Sequence, residues 1–334
     1  MSKTGIAIIG LGPAALPHAK SLLDLSERAE VRHAVSRSKE RTEAFAAQFP
    51  FPVSNDIDAA LADDGVRAVI VLTPPSAHLA VAEKCFAAGK HVLVEKPLEL
   101  TVAAGEKLVA VARKADRRLG VVLQHRFRPA SLRLKAALAA SELGMIAAGF
   151  LTVPWWRPQA YYDEPGRGTM ARDGGGVLLT QAIHSLDLFR SLVGVSAVRA
   201  ADVATTALHR METEDYVAAL VRLGNGAPGT VLATTAFNPG HPERIEIIGT
   251  KASAALIGGS LKIAWLDGRE EVVAAEGDTG SGANIMDFPH DAHRAVIADF
   301  LDAIAQDRDP MVSGEEALAS QRLIGDLLAK GGEA

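Results

Sequence analysis

The chain is short of cysteine, of aromatic residues and of like-charge blocks. Cys85 is the sole cysteine in 334 residues, which excludes a disulfide framework and a thiolate zinc site. Its neighbours Ala82, Phe86 and Ala87 place it on a helix, as a buried and inert thiol. No apolar run reaches the roughly 18 residues of a membrane span. Met1-Ser2-Lys3-Thr4 passes directly into a strand pattern, leaving no room for a signal peptide. The net charge is −5 and no basic block stands out, which argues against nucleic acid as the main partner. A cytoplasmic protein fits these absences. The chain is otherwise well supplied with apolar residues, 48% of the total. At roughly 100–200 residues per domain, two domains with separate cores are expected.

Gly5 to Ile9 is a buried-strand run, followed by Gly10-Leu11-Gly12-Pro13-Ala14-Ala15 and a helical pattern through Leu16, Ala19, Leu22 and Leu23. Strand, glycine turn and helix in that order read as a dinucleotide cradle. Gly10 permits the tight turn and Gly12 lets backbone approach a pyrophosphate. Pro13 and Ala14 lead into a helix N-terminus whose positive dipole end faces the phosphates. The second strand, Glu30 to Val35, ends in Ser36-Arg37-Ser38-Lys39. An NAD site usually holds a carboxylate there, for the ribose 2′-hydroxyl. A hydroxyl beside a guanidinium suits a 2′-phosphate instead, so NADP(H) is expected, with NAD as the alternative.

Helices over 40–48 and 55–61 precede a buried strand, Val66 to Leu72, that ends Thr73-Pro74-Pro75-Ser76-Ala77-His78. Ser76 reads as the N-cap of a helix over 77–88. Val92-Leu93-Val94 is the next strand, stopped by Glu95-Lys96-Pro97. Lys96 thus sits at a strand's carboxyl end, where open α/β sheets bind ligands. A helix over 101–115, a strand over 119–123 and Gln124-His125-Arg126 complete a doubly wound parallel sheet of about six strands.

Gly10-Leu11-Gly12-x-x-Ala15, Thr73-Pro74-Pro75-x-x-His78, Gly89-Lys90-His91-Val92 and Glu95-Lys96-Pro97 resemble the Gfo/Idh/MocA family, that of glucose–fructose oxidoreductase and inositol dehydrogenase. The resemblance implies a Rossmann domain, placed at residues 1–124. A substrate-binding and oligomerising α+β domain with an open, mostly antiparallel sheet follows, at residues 125–334. It also implies NAD(P)-dependent oxidoreduction of sugars, cyclitols and related alcohols, with Lys96 catalytic. Gly10, Gly12, Pro13, Ala14, Ser36, Arg37, Thr73, Pro74, Pro75, His78, Glu95, Lys96 and Gln124 are the expected cofactor contacts.

After a helix over 131–143, Met145 to Val153 alternates as a strand. The loop beyond it, Pro154-Trp155-Trp156-Arg157-Pro158-Gln159-Ala160-Tyr161-Tyr162, holds two of the three Trp and two of the three Tyr. Aromatic faces beside Arg suit a ring-shaped polyol; packing at a domain or subunit interface would account for them equally. With Arg126 and His184, residues Trp155, Trp156, Arg157, Tyr161 and Tyr162 are the substrate-binding candidates.

Gly174-Gly175-Gly176 opens a helix expected to run to about Val193, with its glycines clearing space for a ligand. The family resemblance makes His184 on this helix the acid/base. Where many members carry Asp one turn earlier, this chain has Thr180, which can only hydrogen-bond the imidazole. Thr180 is therefore a candidate catalytic residue, and the feature that keeps open a non-catalytic cofactor-binding regulator. A dihydrodiol dehydrogenase-like enzyme on non-sugar rings is the other alternative.

Seven candidate strands follow between 200 and 275, with Gly224-Asn225-Gly226 as a hairpin turn. Apolar residues on both strand faces point to a homodimer or homotetramer through this sheet. Gly277 to Gly282 reads as a loop, and two amphipathic helices close the chain. His290, Asp291 and His293 have no matching cluster, so no metal is expected. The expected partner is a small sugar-like substrate; neither nucleic acid nor membrane is expected.

Overall fold

A computed structural model of the chain describes residues 3–275 and 289–332; the expected loop at 277–282 lies outside them. The chain divides into two compact units, Met1–Gln124 with His290–Ala319, and His125–Pro289 with Ser320–Ala334.

The first unit is built on six parallel strands: β1 (Thr4–Ile9), β2 (Ala29–Val35), β3 (Val53–Ser54), β4 (Val66–Val71), β5 (His91–Val94) and β6 (Leu119–Val121), in the order β3-β2-β1-β4-β5-β6. Their Val, Ile and Ala runs are buried because helices cover both faces, so unbroken apolar stretches rather than alternation mark them. The strand order reverses between β1 and β4, and doubly wound sheets bind their ligands at that switch point. The flanking helices Lys39–Ala46, Ile57–Ala62 and Val102–Lys114 start at Ser38, Asp56 and Thr101, whose side chains accept first-turn amides. Ser76 is not such a cap. A 3₁₀ turn, Pro75–Ala77, leads into the helix His78–Ala87 instead. Late in the chain, the helix Asp291–Ala305 returns to pack on the helix Ala15–Asp24.

The second unit holds β7 (Ile146–Pro154), β8 (Val195–Ala204), β9 (Tyr216–Leu223), β10 (Pro228–Thr234), β11 (Arg244–Gly249), β12 (Ala252–Ile257), β13 (Ser260–Trp265) and β14 (Glu270–Val273). They form one sheet in the order β14-β13-β12-β11-β7-β10-β9-β8, antiparallel except for β7 with β10. Along β9, Val217, Ala219, Val221 and Leu223 are buried while Leu220 and Arg222 are exposed. This period of two marks a sheet with one covered face. The helices Pro129–Ala139 and Ile183–Val193 pack against it.

Met170–Asp173 is a separate short helix, and the single helix expected from Gly174 to Val193 is two further pieces, Val177–Thr180 and Ile183–Val193. Gly174, at φ +72°, closes Met170–Asp173 in the left-handed conformation. Glu214 then seats Val177–Thr180. Its carboxylate accepts the Gly176 and Leu178 amides at 2.8 and 3.1 Å, and its carbonyl accepts Val177 N–H at 2.8 Å. The amide of Ala182 reaches back to the Val177 carbonyl, and the ladder is interrupted before Ile183.

Candidate active site

In the first unit, the glycine turn behaves as a cradle. Gly10 has φ +105°, and a Cβ there would lie 2.6 Å from the Leu72 carbonyl atoms, so only glycine fits. Above Gly12 a Cβ would meet nothing nearer than Arg41 Nη1, at 3.9 Å. That opening is what an approaching pyrophosphate requires. The helix beyond it, Ala15–Asp24, has no side-chain cap at Ala14, so its positive end is left to an anion. At the end of β2, Ser36 is buried, its Oγ accepting Ser38 N–H at 3.3 Å, and Arg37 is exposed. Sequence reasoning missed Arg41. Its signal was Ser38, which caps the helix by accepting Arg41 N–H and so brings that arginine's turn back toward Gly12.

Glu95 and Lys96 follow β5, half-buried, and the Lys96–Pro97 peptide is cis. Glu95 Oε1 bonds His18 Nε2 at 2.7 Å, and Oε2 accepts Lys96 N–H at 3.0 Å. Burial alone would raise this carboxyl. The His18 hydrogen bond, aided by the electrostatic influence of His18, His293 and Lys96, instead holds it down at about 2. His78, expected as a cofactor contact, is fully buried with both ring nitrogens against carbonyls: Nε2 on Thr73 at 2.9 Å and Nδ1 on Pro97 at 3.1 Å. Burial lowers its pKa, so the neutral ring, lying between the Thr73-Pro74-Pro75 turn and the Glu95–Pro97 turn, donates to a carbonyl on one side only. Thr73 Oγ1 and Gln124 Oε1 are buried with no hydrogen-bond partner among the described residues. Two such atoms in the turns after β4 and β6 fit a bound carboxamide.

The neighbours in sequence His290, Asp291 and His293 part company. His290 bonds Asp24 at 2.8 Å and Asp291 pairs with Arg294, whereas His293 joins His18 and Glu95, with donor atoms within 4.8 Å of one another.

In the second unit, His184 lies in the first turn of Ile183–Val193, buried, its ring 4.9 Å from that of His125 at 30°. Thr180 Oγ1 donates to the Gly176 carbonyl at 2.6 Å and also meets Gln181 Oε1. The break at 181–182 means that Thr180 and His184 do not share one continuous helix. The three glycines clear no ligand space at Gly176, where a Cβ would fall 1.8 Å from the Glu214 carbonyl oxygen. Arg126, expected at the substrate, is buried and committed to Asp187 by two 2.6 Å hydrogen bonds, with Ser320 Oγ donating to the same carboxylate. Of the aromatic loop, Trp155, Arg157 and Tyr162 are buried, with the Tyr162 hydroxyl 2.6 Å from Thr235 Oγ1. The Arg157 guanidinium stands 5.4 Å from the Trp155 ring centre, and burial lowers its pKa. Trp156 and Tyr161 are half-buried, and Tyr161 lies under Arg167 at 4.0 Å. The loop thus divides into buried residues and half-buried ones.

A parallel sheet in this strand order, with a glycine cradle at its switch point, is the architecture of dinucleotide-dependent dehydrogenases. The profile described as "Oxidoreductase family, NAD-binding Rossmann fold" matches residues 4–123, and that of the "GFO/IDH/MocA C-terminal domain" matches residues 131–255. The chain belongs to the Gfo/Idh/MocA family of oxidoreductases. It is 28% identical to scyllo-inositol 2-dehydrogenase (NAD(+)) of Bacillus subtilis, over 93% of this chain and 89% of that protein. It is also 28% identical to UDP-N-acetylglucosamine 3-dehydrogenase of Acidithiobacillus ferrooxidans, over 95% and 94%. Among solved structures, the WlbA dehydrogenase from Bordetella pertussis, in complex with NADH and UDP-GlcNAcA, superposes with a TM-score of 0.83. Sequence identity to it is 28%, and the alignment covers 99% of this chain and 97% of that one. No helix among the described residues is long and apolar enough to cross a membrane.

Proposed function

We propose that this enzyme is an NADP(H)-dependent oxidoreductase that moves a hydride to or from a secondary alcohol or ketone carbon of a sugar, cyclitol or related polyol. The observation that carries the cofactor choice is the end of β2, which offers Ser36, Arg37 and Ser38 and no carboxylate, with Arg41 beside Gly12. A 2′-phosphate gains charge-assisted hydrogen bonds from such a set, whereas a carboxylate would repel it. The substrate class is supported by relatives named for inositol and UDP-sugar substrates. The half-buried rings of Trp156 and Tyr161 suit the C–H faces of a polyol ring.

When bound, the nicotinamide supplies or accepts the hydride at C4. Lys96 Nζ hydrogen-bonds the reacting oxygen and stabilises its alkoxide character. His184 takes the hydroxyl proton in oxidation and returns it in reduction. Thr73 Oγ1 and Gln124 Oε1 orient the carboxamide, while Arg126, Trp155, Arg157 and Tyr162 keep the substrate unit rigid. The apolar outer face of the eight-stranded sheet is the contact with a second copy.

Fluorescence titration separates the cofactors. NADPH binds at least about 10-fold tighter than NADH, and Arg37→Ala abolishes most of that difference, about 1.5–3 kcal/mol for a charged hydrogen bond. Equal affinities sink the NADP reading. On a panel of inositols, sugars, UDP-sugars and cyclic diols, Lys96→Ala lowers kcat by at least about 100-fold. Turnover within a few-fold of wild type would remove Lys96 from the chemistry.

A further inference from the structure

We propose that His18 is a positioning residue for Lys96: it fixes the Glu95 carboxylate, which in turn fixes the peptide from which the lysine side chain springs. The proposal rests on Lys96 being the group that meets the reacting oxygen.

His18 lies in the helix Ala15–Asp24, on a face whose other members are Ala15, Ala19 and Leu22, and it is fully buried. A buried imidazole on an apolar helix face is stabilised only with a partner. Its partner is Glu95, 77 residues away in sequence, at 2.7 Å. The distance is that of a charge-assisted hydrogen bond. Both carboxylate oxygens are thereby used, one by His18 and the other by the Lys96 amide at 3.0 Å. His293, from the helix Asp291–Ala305, presents its ring edge-on to His18, 5.3 Å away at 86°, which holds the plane of the His18 ring. On the far side of Lys96, His78 Nδ1 lies 3.1 Å from the Pro97 carbonyl. The residues before and after Lys96 thus each lie against a buried histidine. The helix that carries His18 is the one whose N-terminus forms the dinucleotide cradle, so one rigid element sets both the cofactor and the lysine turn. Placement errors near 1 Å can cost about 100-fold in rate, which makes such a brace consequential.

The test compares full-length wild type with His18→Ala, His18→Gln, Lys96→Ala and the His18→Ala/Lys96→Ala double variant. Hydrogen exchange at the Lys96 amide needs no substrate. It should accelerate at least 10-fold in His18→Ala, with β1 and β4 amides unchanged, and return to near wild type in His18→Gln, whose amide can still donate to Glu95. With the panel polyol that wild type turns over, His18→Ala should lower kcat about 10- to 100-fold and leave the KM for NADPH within about threefold. Added to Lys96→Ala, it should lower kcat by less than threefold, because the lysine it positions is gone. Unchanged exchange at Lys96 in a folded His18→Ala protein, or equal losses in both backgrounds, would overturn the brace and leave the reading of Lys96 standing. A Lys96→Ala enzyme near wild-type turnover would overturn the catalytic consequence while the exchange result still reports on the brace. Loss of turnover on dialysis against EDTA, restored by zinc, would also overturn it, since the trio would then hold an ion. If His18→Ala does not fold, a folded His18→Gln protein that loses more than 30-fold in kcat does the same.

Discussion

His91 opens β5 with its Nδ1 accepting the Arg118 amide at 3.0 Å, a bond that only the unprotonated ring can make. Burial, aided by the charges of Arg117, Arg67 and Arg118 and opposed by Asp307, lowers its pKa from 6.5 to about 4. Between those two values the unfolded chain binds more protons than the folded one, so stability rises with pH. The contribution is complete above pH 6.5 and is lost as pH falls toward 4. Urea denaturation between pH 7.5 and 4.5 checks this. His91→Asn, whose Oδ1 can accept the same amide without titrating, should lose less stability over that range than wild type; parallel profiles would show that His91 is not the source. At this scale the sequence was readable where a residue's meaning is local. Lys96 lies just beyond β5 and Arg37 just beyond β2, at the strand ends where the motif reading put them. It was not readable where meaning depends on a distant partner. Arg126 looked available until Asp187, 61 residues on, claimed it, and nothing near His18 announces Glu95.

Elements divide the same way. Strands β9 to β14 were recognisable because β-branched and apolar residues recur between turn residues, and a pleated ladder needs little more. The separate start of the short helix Val177–Thr180 had no such sign, because Glu214, from elsewhere in the unit's own chain, seats it. A glycine run reads as permissive, and which permission it grants depends on what lies opposite. Here Gly176 admits the Glu214 backbone. Gly176→Ala would drive a methyl to 1.8 Å from that carbonyl oxygen and loosen three capped amides. It should destabilise the protein by about 1–3 kcal/mol or more, seen as a lower urea midpoint. If the glycines instead served to admit substrate, the same variant would keep its midpoint and show only a raised KM.

For the whole molecule the open question is what covers the outer face of the eight-stranded sheet. Leu220, Thr230, Phe150, Glu246, Ala255, Lys262 and Val272 stand opposite one another across seven strands and therefore share that face. Ile248 and Ile257, two residues along β11 and β12 from that row, lie on it too. Leu220, Ile248, Ile257 and Val272 are 56, 45, 41 and 67% exposed. Eight strands about 4.8 Å apart and six residues long present about 34 by 20 Å, or about 700 Å² per copy. Two such faces together bury about 1,400 Å², within the range of a specific and stable interface. A second copy of the same face would cover these four apolar side chains about a two-fold axis, the commonest way in which chains self-associate. Sedimentation velocity at micromolar concentration should therefore find a dimer or tetramer. Ile248→Asp, which sets a charge in mid-face with no partner to pair it, should shift the protein toward monomer while leaving the far-UV spectrum unchanged. A monomeric wild type would leave this face to solvent, and an Ile248→Asp protein that sediments as an oligomeric wild type does would move the oligomer contact elsewhere.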